Sequence, residues 1–272
     1  MKQNRITAYI VVGFVALVWV LPIWSSLLTA FKSNVDYITQ DFWELPTEFY
    51  FFNNLKEVLN TYHLDRHFSI SLFYSITAGG LAILFGSMAA FSVTRIKPKF
   101  HMSLFFIIFS GTIFPFQMYL IPLYSYFNQW GIYDTRFGLV LIYTAICIPF
   151  SIFVFRGFYV TIHNSIQDAA KLDGCGVFKT YLYIFLPQSK SPIAVVALFQ
   201  MTFIWNDLLF GMVLSISEDV RPIMVALSTM SGGRGGSETL LMTGVIFTSV
   251  PTILLYVILK KHFIKGLNLS VA

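Results

Sequence analysis

The sequence predicts an all-α polytopic membrane protein: six transmembrane helices and one cytoplasmic helix-turn-helix loop, within a single transmembrane domain over residues 1–272. Three observations carry that reading. Apolar residues make up 56% of the chain and charged residues only 11%, a balance that suits lipid rather than water as the main solvent. Apolar runs of about twenty residues recur, the length that crosses a hydrocarbon core about 30 Å thick as a helix. The Lys and Arg residues fall mainly in the polar gaps between those runs.

The first run, about Ala8 to Ala30, follows Lys2 and Arg5. It is longer than the apolar stretch of a secretory signal, and its small-residue exit at Leu28-Thr29-Ala30 is weak, so it reads as a retained span. Five more follow: about Phe68 to Val93, Met102 to Leu123, Phe137 to Phe158, Pro192 to Ile216 and Leu240 to Leu259. Pro22, Pro115, Pro149 and Pro251 interrupt them, and neighbouring helices can satisfy the carbonyls that proline frees. With the N-terminus inside, twelve Lys and Arg lie on the cytoplasmic side and six on the other, so both termini are expected in the cytoplasm. The 37-residue loop from Phe31 to His67 has room for short helices on the outer membrane surface, where Trp43 and Phe49 to Phe52 suit the interface.

Several function classes drop out. The basic residues form no stripe or recognition motif, which argues against nucleic acid. Cys147 and Cys175 are expected at different depths, with no disulfide and no metal site. His63 and His67 have the i, i+4 spacing of metal ligands but lack a third ligand, so a solvated loop is expected. The run SGGRGGS at 231–237 reads as a flexible outer loop, since no G-x-x-x-x-G-K-S/T closes there or elsewhere; the chain is not expected to hydrolyse ATP. An integral-membrane enzyme would want clustered acids or histidines near one interface, and a proton-coupled pump several buried acids; Asp207 is the only acid placed inside a span. If such a chain transports a solute, the work is expected to come from outside it.

Between the fourth and fifth runs lies a polar, glycine-punctuated segment, residues 161–190, containing QDAAKLDGCGVFKTYLYIFLP. Asn164 or Ser165 is expected to cap a helix whose first turn contains Asp168. Ala169 and Ala170 favour helix and leave a surface that another chain can approach closely. Gly174 permits the left-handed turn that ends the helix, Gly176 loosens the next step, and Leu186-Pro187 is expected to stop a second short helix. Such a knob, tied to two spans, can carry motion from a soluble partner into the membrane.

At these residues the chain resembles a known family. Asp168-Ala169-Ala170, then Gly174 and Ile184-x-Leu186-Pro187 at the matching spacing, are similar to the "EAA" loop of ATP-binding-cassette importer permeases, with Asp for the usual Glu. DAAKLDG resembles the form found in the carbohydrate-uptake type. SSLLTAFK at 25–32, LIPLYSYFNQWGIYDT at 120–135, Trp205-Asn206-Asp207 and KHFIKGL at 261–267 extend the resemblance over nearly the whole chain, most closely to the second, maltose-type, six-span subunit. His163 departs from the family's proline before the loop helix, and the chain stops at Ser270-Val271-Ala272 where many relatives continue to a terminal lysine.

The resemblance implies a membrane permease without catalytic residues or cofactors of its own. ATP and Mg would sit on two partner ATPase subunits, each gripping one loop helix. A second homologous permease would complete the pathway, and an extracytoplasmic binding protein would deliver a sugar or oligosaccharide. Importers of other solutes, such as peptides or amino acids, share the loop and stand as the alternative. Asp168, Ala169, Ala170, Gly174, Leu186 and Pro187 are the expected ATPase-coupling residues. For the substrate pathway the candidates are Asn206 and Asp207, with Gln117 and Tyr119 after the Pro115 break. Asp207 lies about 22 Å along a helix counted from Pro192. A carboxylate there costs on the order of 3 kcal/mol facing lipid, so it should point to a cavity, or else cap a kinked helix or tie neighbouring spans together.

Overall fold

The computed structural model describes residues 2–231 and 237–269, with side chains for 9–230 and 237–261. The expected glycine-rich outer loop at 232–236 and the tail at 270–272 lie outside the described residues. Every regular element among the described residues is helical.

The longest apolar runs become the longest helices: α1 (Lys2–Phe31), α4 (Leu64–Phe91, running on as a π turn at Ser92–Ile96), α7 (Arg136–Thr161) and α15 (Glu238–Leu269). The short helices α2 (Asn34–Thr39) and α3 (Phe51–Thr61) lie between the first two. All four long helices are long and apolar enough to cross a membrane. At 1.5 Å per residue, α7 alone reaches about 39 Å, more than the hydrocarbon thickness.

Two expected spans are not single helices. The stretch 102–123 is split between α5 (His101–Ser110) and α6 (Leu120–Gln129), with turns and a 3-10 segment at Phe116–Tyr119 between them. Pro115 has no N–H and pushes the residue before it out of helical geometry, so the helix ends ahead of it. The next helices are α8 (Asn164–Leu172), α9 (Val177–Thr180), a π turn at Tyr181–Phe185, α10 (Leu186–Gln188), α11 (Lys190–Val196), a π turn at Ala197–Met201 and α12 (Thr202–Trp205). Residues Val177–Gln188 and Lys190–Trp205 form two arms that meet at 75° around Ser189. The stretch 192–216 therefore breaks after Trp205 and resumes as α13 (Leu209–Leu214), followed by α14 (Ile223–Ser231).

Two compact units divide the chain. One comprises residues 1–66 and 225–250. Within it the Asn54 amide donates to the Ala30 and Lys32 carbonyls at 3.1 and 3.0 Å, closing the C-terminal end of α1, and Thr243 donates to the same Ala30 carbonyl at 3.3 Å. Phe31 packs against Phe49 and Phe51 with ring centres 4.5 and 5.5 Å apart. The Asp36 carboxylate accepts from the Thr47 hydroxyl and N–H. The apolar length of α1 is otherwise exposed, the pattern of a helix whose solvent is lipid.

The other unit comprises residues 67–224 and 251–272. Its core runs along α4 and α7 as two clusters, one around Tyr74, Tyr143, Phe210 and Leu214, the other around Phe91, Phe155, Tyr159 and Phe185. Between them the two helices touch through small residues. A Cβ built on Gly86 would lie 2.4 Å from the Ser151 Cβ and 3.3 Å from the Ile152 nitrogen, so no larger residue fits without moving backbone. His67, expected in a solvated loop, is instead buried in the first turn of α4, with Nδ1 at 2.9 Å from the Arg221 carbonyl and Nε2 at 3.8 Å from Glu218. Replacing Gly86 with Ala should cost about 1–3 kcal/mol of stability through overpacking, whereas Gly80→Ala, which meets nothing within 4 Å among the described residues, should not. Melting temperatures of the two purified variants in detergent check this pair.

Candidate functional site

The polar segment begins where α7 stops. Helix α8 starts at Asn164, with His163 in the capping position and its Nδ1 3.0 Å from the Ser165 hydroxyl. Neither Asn164 nor Ser165 caps the helix, contrary to expectation, because the Asn164 side-chain oxygen is taken by Arg95. Asp168 lies beyond the first turn and is paired with Lys171 at 3.1 Å, both side chains being well exposed. Ala170 is buried and its carbonyl accepts from Cys175 N–H at 2.9 Å, while Ala169 and Gly174 face outward. Gly174 takes φ +77°, the left-handed geometry that a helix-ending glycine supplies cheaply. The segment then presents Leu172, Val177 and Phe178 as exposed apolar groups.

Pro187 does not stop the second helix. It occupies the start of α10 with its ring exposed and Leu186 half-buried, and the chain bends two residues later, at Ser189. The reason is the preceding π turn. Its wider spacing lets Leu186 N–H bond to the Tyr181 carbonyl, a geometry that tolerates the proline just after it.

The second candidate region is the break at 206–208. Asn206 ends α12 with its amide donating to the Thr202 carbonyl at 2.8 Å, and the side chain is exposed. Asp207 turns inward. Its carboxylate accepts from the Tyr143 hydroxyl at 2.8 Å, Gly211 N–H at 3.0 Å and Phe210 N–H at 3.4 Å, so it ties α7 to the first turn of α13. A helix start leaves free N–H groups, and a carboxylate held there satisfies them while favouring the positive end of the helix dipole. Asp207 thus caps a helix start and ties it to α7.

Two hollows flank Phe116. One, of about 490 Å³, is lined by Phe116, Thr202, Phe203, Asn206, Asp207 and Leu209 among others. The other, of about 410 Å³, is lined by Phe114, Phe116, Tyr119, Ile142, Ile146 and Pro149 with their neighbours. Asn206 and Asp207 thus share one wall. Tyr119 lines the other hollow, its ring stacked on Phe210 at 6.3 Å, and exposed Gln117 lines neither of the two. Aromatic walls with few polar groups suit a ligand that offers ring faces and hydroxyls.

Two residues carry more of the geometry than their sequence context suggests. Asp134, at φ +53°, accepts from Ile216 and Ser217 N–H at 2.8 and 3.0 Å and from the Ser217 hydroxyl, clamping the loop before α7 onto the loop after α13. Burial opposes its ionisation, but those hydrogen bonds together with the nearby Arg221 charge outweigh the burial and hold its carboxyl below the usual value of 3.8. The clamp therefore stabilises fully above that value and is lost as pH falls through the lowered one. Arg95, at the end of α4, reaches α7, α8 and the π turn at 181–185. Only the polar Tyr-Asp-Thr before an apolar run, and a lone arginine closing one, mark these sites in the sequence.

Comparison with known proteins places these features. Residues 82–268 match the family described as binding-protein-dependent transport system inner membrane component. A probable ABC transporter permease protein of Pyrococcus horikoshii is 33% identical over 271 residues, covering 97% of this chain and 96% of the relative. The melibiose/raffinose/stachyose import permease protein of Bacillus subtilis is 28% identical over 268 residues, with 98% and 96% covered. A chain from the crystal structure of a bacterial ABC transporter involved in import of the acidic polysaccharide alginate shares the fold, with a TM-score of 0.85 at 21% identity, covering 96% of this chain and 97% of that one.

The two residues at the helix break should separate cleanly. Asp207→Ala strands the Tyr143 hydroxyl and two N–H groups and should cost about 2 kcal/mol or more, whereas Asn206→Ala should stay within about 0.5 kcal/mol. Unfolding of both variants in detergent checks the assignment.

Proposed function

Because the chain belongs to the family of binding-protein-dependent transport system inner membrane components, we propose that it is one of two permease subunits of an ATP-driven importer, forming half of the pathway for a sugar or oligosaccharide. The observation that carries the reading is the family match together with full-length relatives named for sugar import, among them the melibiose/raffinose/stachyose permease. In this reading the chain crosses the inner membrane six times. The broken pair α5–α6 and the stretch 192–216, which runs from α11 to α13 with a break after Trp205, supply the two crossings that are not single long helices. Both termini and α8 lie on the cytoplasmic side, in keeping with the distribution of Lys and Arg.

The work comes from two separate ATPase subunits, which bind ATP and Mg. One of them receives α8, whose outward residues Asp168 and Ala169, with Gly174 just past its end, leave a small-residue surface for close packing; Ala170 and Leu186 pack inward, and exposed Pro187 completes the coupling surface. A second permease closes the pathway against the exposed apolar faces of this one, and an external binding protein delivers the solute. Aromatic rings around Phe116, with polar groups from Asn206 and Tyr119, line the route, Gln117 stands exposed beside it in the 3-10 segment, and Asp207 fixes the shape of its wall.

Reconstitution of this chain with a partner permease, ATPases and binding protein should give ATP-dependent uptake of the sugar the binding protein carries. Gly174→Leu forces a side chain into left-handed geometry. It should lower uptake at least about tenfold, equivalent to about 1.4 kcal/mol of lost coupling, while the protein still reaches the membrane. Normal coupled uptake in that variant removes α8 as the docking helix.

A further inference from the structure

The Arg95 guanidinium joins the end of α4 to the junction of α7 and α8 and to the π turn at 181–185. One terminal nitrogen donates to the Asn164 side-chain oxygen at 2.6 Å, at the start of α8. The other donates to the carbonyls of Tyr159 and Ile162, at the end of α7. The guanidinium carbon lies 5.0 Å from the centre of the Phe185 ring, in the π turn that follows α9. The remaining nitrogen, Nε, is buried with no hydrogen-bond partner among the described residues, so the contact rests on the forked terminal nitrogens.

Each contact has a physical reason. The end of α7 leaves carbonyls unpaired, and a cation there also meets the negative end of the helix dipole. Guanidinium spreads its charge over a plane and stacks on an aromatic face, which an ammonium on a flexible stem does less well. Beneath it the rings of Phe91, Tyr159, Tyr181 and Phe185 form one block, with Phe91–Phe185 at 4.9 Å and Tyr159–Phe185 at 5.4 Å. Hydroxyl contacts close the block: Tyr181 lies 2.8 Å from Ser87, and Ser189 donates to Tyr159 at 3.3 Å. Arg95 and Phe185 both sit in π turns, whose extra residue lets a helix change register without breaking.

From this geometry we infer that Arg95 is a positioning residue that locks α8 to the ends of α4 and α7, so that displacement of α8 moves both spans together. The inference rests on the importer reading, in which α8 is the helix that an ATPase displaces. A helix cap alone would need only the α7 carbonyls. The added hold on Asn164 at the entry of α8 and on Phe185 beyond its exit is what makes the arginine a linkage.

The test uses the complete transporter in proteoliposomes, reading solute taken up per ATP hydrolysed. R95Q should assemble and hydrolyse ATP with that ratio lowered at least about tenfold, and R95K should recover part of it. N164A should lower it too, and the double variant R95Q/N164A should be no worse than R95Q, since both remove one link. A ratio within twofold of the wild type in R95Q and N164A overturns the inference. So does failure of R95Q to assemble together with normal coupling in N164A, which leaves a cap only. Hydrogen exchange of residues 163–172 separates this from the importer reading. If the wild-type complex shows no ATP-driven uptake, that reading falls, and the lock stands or falls on whether R95Q in lipid nanodiscs loses at least about tenfold of the protection there.

Discussion

Inside a membrane, a backbone group released by a broken helix has no water to turn to, and each one left unpaired costs several kcal/mol. This chain breaks or bends its helices repeatedly, and several of the breaks are answered by a particular side chain. Asn54 takes the carbonyls at the end of α1, Asp207 the N–H groups at the start of α13, and Arg95 the carbonyls at the end of α7. The Ser189 hydroxyl takes the Phe185 carbonyl where two arms turn through 75°. Outside the spans, Asp134 does the same for the N–H groups of Ile216 and Ser217. Polar residues are scarce here, and many of those that are buried are spent on helix ends.

That constraint also explains where the machinery lies. Unbroken α4 and α7 cross through Gly86 and Ser151 and form the stiff frame. The interrupted elements surround Phe116 and leave hollows where irregular backbone meets aromatic rings. Broken helices are tolerated in membranes where they line a cavity, and a pathway for a hydroxyl-rich solute needs such a cavity. At the other end of the frame, the segment 161–190 is held by one arginine and one aromatic block, an arrangement that transmits displacement rather than absorbing it.

Much of this was legible in the residues. Runs of twenty apolar positions located α1, α4, α7 and α15, because length and hydropathy together leave few alternatives to a long helix. Gly174 announced its left-handed turn, since few other residues adopt it cheaply. The splits at 111–119 and 206–208 were hidden, although Pro115 was visible, because hydropathy is indifferent to which carbonyls and N–H groups lose partners. The cap expected from Asn164 failed for a different reason: its oxygen is claimed by Arg95, 69 positions earlier, and local patterns cannot register a partner at that distance. For the same reason the hold of Asp207 on Tyr143, 64 residues away, emerges only from the fold.

The central claim is that α8 is the cytoplasmic point where an ATPase grips this chain. Ala169→Cys, in a Cys147→Ser/Cys175→Ser background, places one exposed thiol on that helix, and Ser217→Cys places one at the opposite end of the frame. Treatment of membranes holding the assembled transporter with a short thiol crosslinker should join position 169 to an ATPase subunit and leave position 217 unjoined to it. A crosslink to the ATPase from 217, or none from 169 in a transport-competent complex, contradicts the account.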